Sequence, residues 1–187
     1  AVVHDKESIL IDAFMGSGWD GDQQYACYIA SGLKERGYDV HIYAKDSLVP
    51  QSDKTELLLS RFPWKKDRYW ETLLPIIKDM EQRLPFVLIA NTLEHVMAAA
   101  YILKQQYPDK VRILSVIHGD NYSLYEKQAH WLDSLDLILG ISERIVSTLT
   151  NIWKIPKEKV RYRVNPVFWK DEKTSFTITR SSFQCND

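Results

Sequence analysis

Short apolar runs alternate with stretches of helical periodicity along most of the chain. Residues 9–14 (Ile9, Leu10, Ile11, Ala13, Phe14) read as a strand, and 23–36 as a helix with Tyr25, Ile29 and Leu33 on one face and Gly37 as its stop. Residues 39–44 alternate Val40, Ile42 and Ala44 as a second strand. Between 45 and 70, Pro50, Pro63 and mixed charges break any long element. There Leu57-Leu58-Leu59 reads as a short strand, and 69–83 as a helix carrying Pro75 in its early turns. Beyond Pro85, strands 86–90, 111–117, 135–140 and 160–164 alternate with helices 93–106, 124–134 and 143–153. Strands separated by single helices make a parallel sheet covered on both faces, and right-handed crossovers leave few other topologies. The expected fold is α/β: a Rossmann-like, doubly wound parallel sheet of about six strands in a three-layer sandwich. Residues 1–168 are expected to form one domain, and 169–187, polar and rich in Ser and Thr, a linker or tail.

In a parallel sheet every strand-to-helix junction opens on the same edge, so polar residues far apart in sequence become neighbours there. The first junction is glycine-rich, with Gly16, Gly18 and Gly21 in a G-x-G-x-x-G register. Glycines let the backbone turn sharply and a ligand come close, while the N–H groups of the next helix point at that ligand. Trp19 crowds this loop, and Asp20 and Asp22 flank Gly21 with negative charge that would repel a pyrophosphate. Gly18, Asp20, Gly21 and Asp22 therefore suit the neutral hydroxyls of a sugar; the plain alternative is a strand-to-helix turn with an acidic first helical turn.

Later junctions add Asn91-Thr92, His118-Gly119-Asp120-Asn121, Ser142-Glu143 and Asn165. His118 ends an apolar run, where an imidazole can bind a hydroxyl or shuttle a proton near neutral pH, or else satisfy a buried carbonyl. Asn91 or Thr92 reads as a helix cap as well as a ligand contact, and Ser142 as an N-cap before Glu143. His95, in the first turn of a helix, reads as a surface or packing residue.

Composition narrows the classes. Lys and Arg number 24 against 25 Asp and Glu, without the basic surplus of a nucleic-acid binder. Cys27 and Cys185 do not make a disulfide framework, so a reducing, cytoplasmic setting is expected. No apolar run approaches the roughly 20 residues that span a bilayer. The histidines (His4, His41, His95, His118, His130) lack metal-ligand spacing, and no metal or other cofactor is expected. Trp64, Tyr69 and Trp70 among Lys65, Lys66 and Arg68 form an amphipathic group that suits the inner face of a membrane or a partner, or simply a helix covering the sheet. The chain starts on Ala1, and an excised piece of a longer polypeptide is expected.

Several of these segments resemble, in order, the N-terminal domain of retaining GT-B glycosyltransferases, above all the family 4 group. Gly18 to Gln24, followed by Ile29-Ala30-Ser31-Gly32-Leu33-Lys34-Glu35-Arg36-Gly37-Tyr38-Asp39-Val40, is similar to the "G-G-x-E … L-A-x-x-L-x-x-x-G-H-x-V" pattern. Ser115-Val116-Ile117-His118-Gly119-Asp120 resembles the "V-x-H-D" turn, and 135–143 the "A-D-x-I-x-x-x-S" segment. Ile155-Pro156-Lys157-Glu158-Lys159-Val160, ahead of Asn165, resembles the approach to the "I-P-N-G-V-D" hinge. The sequence departs at Asp20, at Tyr38 in place of the "G-H" histidine, and at Pro166, which follows Asn165 where the family has glycine. The family's donor-binding second domain is not in the chain.

The resemblance implies one half of a GT-B fold: the acceptor side of an enzyme that moves a sugar, with retention, from a nucleotide-sugar to a hydroxyl of a sugar or glycan acceptor. A C-terminal donor-binding domain, in the same or another chain, would complete it, and this half alone would be inactive. His118 would be catalytic, contacting a hydroxyl of the donor sugar. Gly18, Asp20, Gly21, Asp22, Asn91, Asp120, Ser142 and Asn165 would bind substrate. The competing readings are a non-catalytic glycan- or protein-binding module and a small Rossmann-like enzyme using a nucleotide or dinucleotide.

Overall fold

A computed structural model describes residues 7–13, 21–45, 59–62, 67–91 and 93–163. Its strands are β1 Ser8–Asp12, β2 Asp39–Lys45, β3 Leu59–Phe62, β4 Phe86–Ala90, β5 Val111–Ile117, β6 Leu137–Gly140 and β7 Val160–Tyr162. The helices are α1 Gly21–Glu35, α2 Tyr69–Glu81, α3 Glu94–Gln106, α4 Tyr122–His130 and α5 Glu143–Ser147. A π-helical turn, Thr148–Ile152, continues α5, and a 3-10 turn, Lys157–Lys159, leads into β7.

The strands form one seven-stranded sheet in the order β3-β2-β1-β4-β5-β6-β7, with every neighbouring pair parallel. The chain winds outward from β1 through β2 to β3, crosses back to β4 and continues to the other edge. β1 therefore pairs with both β2 and β4, Ser8 lying opposite Asp39 on one side and Phe86 on the other. The winding reverses between β1 and β4, which is where open α/β sheets carry a ligand crevice.

Side chains alternate across the sheet with the strand period of two. Ile11, Val40 and Ile42 pack on Ala26, Cys27 and Ala30 of α1. Leu10, Tyr43, Phe86 and Leu88 join the larger cluster with Leu73, Ile76 and Met80 of α2 and Met97 and Leu103 of α3. The fold is thus the expected Rossmann-like doubly wound sheet between helical layers.

Local chemistry sets the element ends. Gly37 stops α1 at φ 84°, its N–H donating to the Lys34 carbonyl (2.9 Å) while the Tyr38 N–H reaches the Leu33 carbonyl (3.2 Å). α4 begins earlier than the apolar pattern indicates, because Asn121 Oδ1 caps it by accepting from the Ser123 N–H at 3.0 Å. The helix expected over 143–153 is α5 followed by the π-helical turn. Gly140 lets that helix approach β6: a Cβ there would stand 2.9 Å from Ile145 Cγ2. Leu57 and Leu58, Val164, and the tail 169–187 lie outside the described residues.

A polar chain ties β2 to α2. Asp39, His41 and Tyr43 alternate along the strand. Tyr43 Oη donates to Asp79 at 2.5 Å, and Arg83 grips the same carboxylate through Nε (2.8 Å) and Nη2 (3.0 Å) while its Nη1 lies 2.6 Å from His41 Nε2. Burial, then the Arg83 charge, pushes the His41 pKa below its ordinary 6.5. Burial raises the Asp79 pKa, but hydrogen bonds from Arg83 and Tyr43 outweigh it and hold it below 3.8. Both shifts are downward, so the unfolded chain binds the extra proton and stability falls as pH falls. The His41 contribution is complete above 6.5 and is lost as pH drops below that value; the Asp79 contribution starts to be lost only below 3.8. Urea midpoints measured against pH are expected to decline below 6.5 in the wild type and to decline less in His41→Gln, whose amide oxygen still accepts from Arg83. Equal slopes in the two proteins would exclude His41 as the source.

Candidate functional site

At the carboxyl edge of the sheet, β1, β4 and β5 end side by side, and a fully buried carboxylate organises the junction. Asp12, the last residue of β1, is 0% exposed. One of its oxygens accepts the Asn91 N–H and the other the Leu93 N–H, while its own carbonyl accepts from Asn91 Nδ2 at 2.7 Å. A carboxylate in this position stays buried because backbone donors satisfy it.

This changes the role of Asn91. The sequence gives the cap of α3 to Asn91 or Thr92, but the N-cap is Leu93, whose side chain caps nothing, and Asp12 supplies an acceptor from the neighbouring strand β1. Thr92 lies outside the described residues. Asn91, 4% exposed, has its amide oriented by Asp12: Nδ2 faces the carbonyl, so Oδ1 faces His118 Nε2 at 2.9 Å. An acceptor oxygen there assigns the His118 proton to Nε2, which makes Nδ1 the acceptor nitrogen of the neutral ring.

Half-buried His118 also meets Tyr25, with ring centroids 4.7 Å apart and planes at 68°. Burial raises the Tyr25 pKa, so the phenol stays protonated as a donor. The sequence sets Tyr25, Ile29 and Leu33 on one face of α1; Ile29 and Leu33 pack against the cluster of Ala26, Cys27 and Ala30, while Tyr25 brings the start of α1 to His118. Gly21 and Asp22 open α1, so they lie within about one helical turn of Tyr25. Gly18, Asp20 and Asn165 lie outside the described residues.

Asp120 and Ser142 are engaged locally. Asp120 accepts from Tyr125 Oη at 2.6 Å and pairs with Arg144 Nε at 2.5 Å. Ser142 Oγ accepts the Ile145 N–H at 3.2 Å, the N-cap read from its sequence. His95 is a packing residue, 9% exposed, with its ring 4.2 Å from that of Tyr69. In the aromatic group, Trp70 is 61% exposed and Arg68 pairs with Glu71 at 2.7 Å; Trp64, Lys65 and Lys66 lie outside the described residues.

Sequence reasoning missed Asp12 and Tyr25. The signal for Asp12 was available: a lone carboxylate inside Ile9-Leu10-Ile11-Asp12-Ala13-Phe14 must be buried, and a buried charge needs donors. Tyr25 carried no comparable signal, since an aromatic on a helical face looks the same whether it packs on the sheet or on a ligand edge.

The result is an imidazole and a phenol beside the start of a helix, oriented by an amide that a buried carboxylate fixes. It can hydrogen-bond hydroxyls and move a proton at His118. Among the described residues no group of three or more His, Cys, Asp or Glu is placed to hold a metal ion, and no helix is long and apolar enough to cross a membrane.

No protein-family model matches the chain, and no curated protein matches it in sequence. Solved structures do match its fold. A glycosyltransferase from Rickettsia africae ESF-5 superposes with a TM-score of 0.60 at 15% identity, over 85% of this chain and 43% of that one. Anabaena Alr3699/HepE in complex with UDP and glucose gives 0.58 at 10% identity, over 86% of this chain and 45% of that one. An alpha-glucosyltransferase in complex with UDP and a 13-mer DNA containing a HMU base gives 0.53 at 17% identity, over 86% and 43%. The chain spans less than half the length of each. By fold, it is a Rossmann-like doubly wound sheet that corresponds to one lobe of the two-lobed GT-B architecture.

Proposed function

We propose that the chain is the acceptor-side lobe of a glycosyltransferase that transfers a sugar, with retention, from a nucleotide-sugar to a hydroxyl acceptor. The observation that carries this reading is the Asn91–His118 pair, set by Asp12 at the reversal of strand order. The matching folds support it, two of them from structures that hold UDP.

In the completed enzyme a second lobe binds the nucleotide, and His118, its Nε2 proton held by Asn91, accepts through Nδ1 from a hydroxyl of the donor sugar. The Gly21 and Asp22 end of α1 borders the transferred sugar or the acceptor. The acceptor oxygen bonds to the anomeric carbon on the face from which the phosphate oxygen leaves, and the acceptor proton passes to that phosphate. Positioning and stabilisation of the leaving phosphate supply the rate, so neither a protein nucleophile nor a metal is required of this lobe. One lobe cannot hold both substrates, so residues 1–168 alone are expected to show no transfer.

Calorimetric titration of the intact protein with nucleotide-sugars and with nicotinamide cofactors tests the reading. Binding and turnover of a nucleotide-sugar are expected. Binding of a nicotinamide cofactor alone would overturn the reading in favour of a dinucleotide enzyme, and binding of neither in favour of a non-catalytic module.

A further inference from the structure

Between α3 and α4 the surface opens into two hollows of about 540 and 320 Å³. Glu94, Ser123, Glu126 and Lys127 line the larger and Tyr101 and Asp133 the smaller; the two adjoin at His130 and Trp131, which border both, and together they make up the trough. Each volume falls in the range of about 300–1,000 Å³ typical of small-ligand sites. Trp131 contacts two other rings, Tyr101 at 5.4 Å and His130 at 5.0 Å between centroids.

The trough begins at the rim that carries the site. Both helices start at the carboxyl edge of the sheet: Glu94 follows Asn91 through Thr92 and Leu93, and Ser123 lies in the first turn of the helix after His118. From there it descends alongside α4, whose nine residues cover about 13 Å.

We propose that this trough binds an oligosaccharide, holding the chain of the acceptor whose terminal hydroxyl is presented at His118; this rests on the glycosyltransferase reading above. A pyranose has an apolar C–H face and a rim of hydroxyls. Rings of the Trp and Tyr type pack on such a face and leave their polar edges for hydrogen bonds. The carboxylates of Glu94 and Glu126 accept from hydroxyls; with Asp133 in the smaller hollow they outnumber the one lysine of the lining, Lys127, so the trough disfavours the phosphates of the nucleotide donor. A run of aromatic and carboxylate groups this long fits a chain of several sugar units better than a single one.

The intact protein is to be tested on a printed glycan array, as wild type, as Glu126→Ala/His130→Ala, as Trp131→Phe and as Tyr38→Ala. Glu126 and His130 are exposed, so the double variant keeps its fold, which thermal melting checks. Tyr38, exposed next to the Gly37 turn and outside the trough, is the control. Wild type is expected to retain oligosaccharides and to bind the matching monosaccharide at least about tenfold more weakly. The double variant is expected to lose about tenfold or more in glycan affinity, Trp131→Phe to stay within about threefold, and Tyr38→Ala to match wild type. No oligosaccharide retained by wild type, or undiminished retention by the double variant, overturns the proposal. Glycan binding that depends on Glu126 and His130 supports the trough even where calorimetry finds no nucleotide-sugar binding, an outcome that removes the enzyme reading alone.

Discussion

Asp12→Ala is expected to remove about 3–5 kcal/mol of folding stability, a large share of the about 5–15 kcal/mol that holds a domain together. The side chain is fully buried, and its two oxygens satisfy the N–H groups of Asn91 and Leu93. Alanine leaves both donors buried without an acceptor, at about 1–3 kcal/mol each, and adds a small cavity. Asp12→Asn keeps the volume and one acceptor oxygen but turns an N–H₂ group toward a backbone N–H. It is expected to fold and to lose about 1–3 kcal/mol. Urea unfolding followed by circular dichroism measures both. A loss under about 1 kcal/mol in Asp12→Ala would mean that another acceptor reaches those amides.

His118→Ala is expected to cut sugar transfer in the intact protein by about 10²–10⁴-fold, the usual contribution of a positioned acid-base group. The half-buried ring touches Asn91 and Tyr25 and sits at the edge of the fold, so the variant is expected to remain folded. Nucleotide affinity, carried by the other lobe in this scheme, is expected to change little. Asn91→Ala provides the matching test of orientation: it leaves the imidazole in place without its amide partner, and kcat is expected to fall more than KM rises. Transfer at the wild-type rate in His118→Ala would exclude the imidazole from the chemistry.

Most of the architecture was legible in the order of apolar segments, because a strand buried on both faces has to be apolar along its length. Residues 86–90 and 111–117 are strands with those limits in the structure. Helix ends were less legible where a cap or a packing partner decides them. Asn121 starts α4 ahead of its apolar pattern, and the continuation of α5 into a π-helical turn follows from backbone geometry that no periodicity encodes. The candidate site was legible at His118 and Asn91 because each follows directly on an apolar strand. Their mutual contact and its dependence on Asp12 were not, since those residues meet only after β1, β4 and β5 align. Asp120 was legible as an acidic residue directly after a strand, but its contacts with Tyr125 and Arg144 were not, because each depends on where the following helices pack.

The bidentate grip of Asp12 makes the crevice tolerant of substitution. By clamping the backbone of the β4 turn, it anchors the crevice through main-chain atoms, which are common to all side chains. Side chains bordering the opening can therefore be replaced without removing that anchor, and the scaffold beneath keeps its dimensions. A single carboxylate thus separates a fixed chassis from a replaceable mouth.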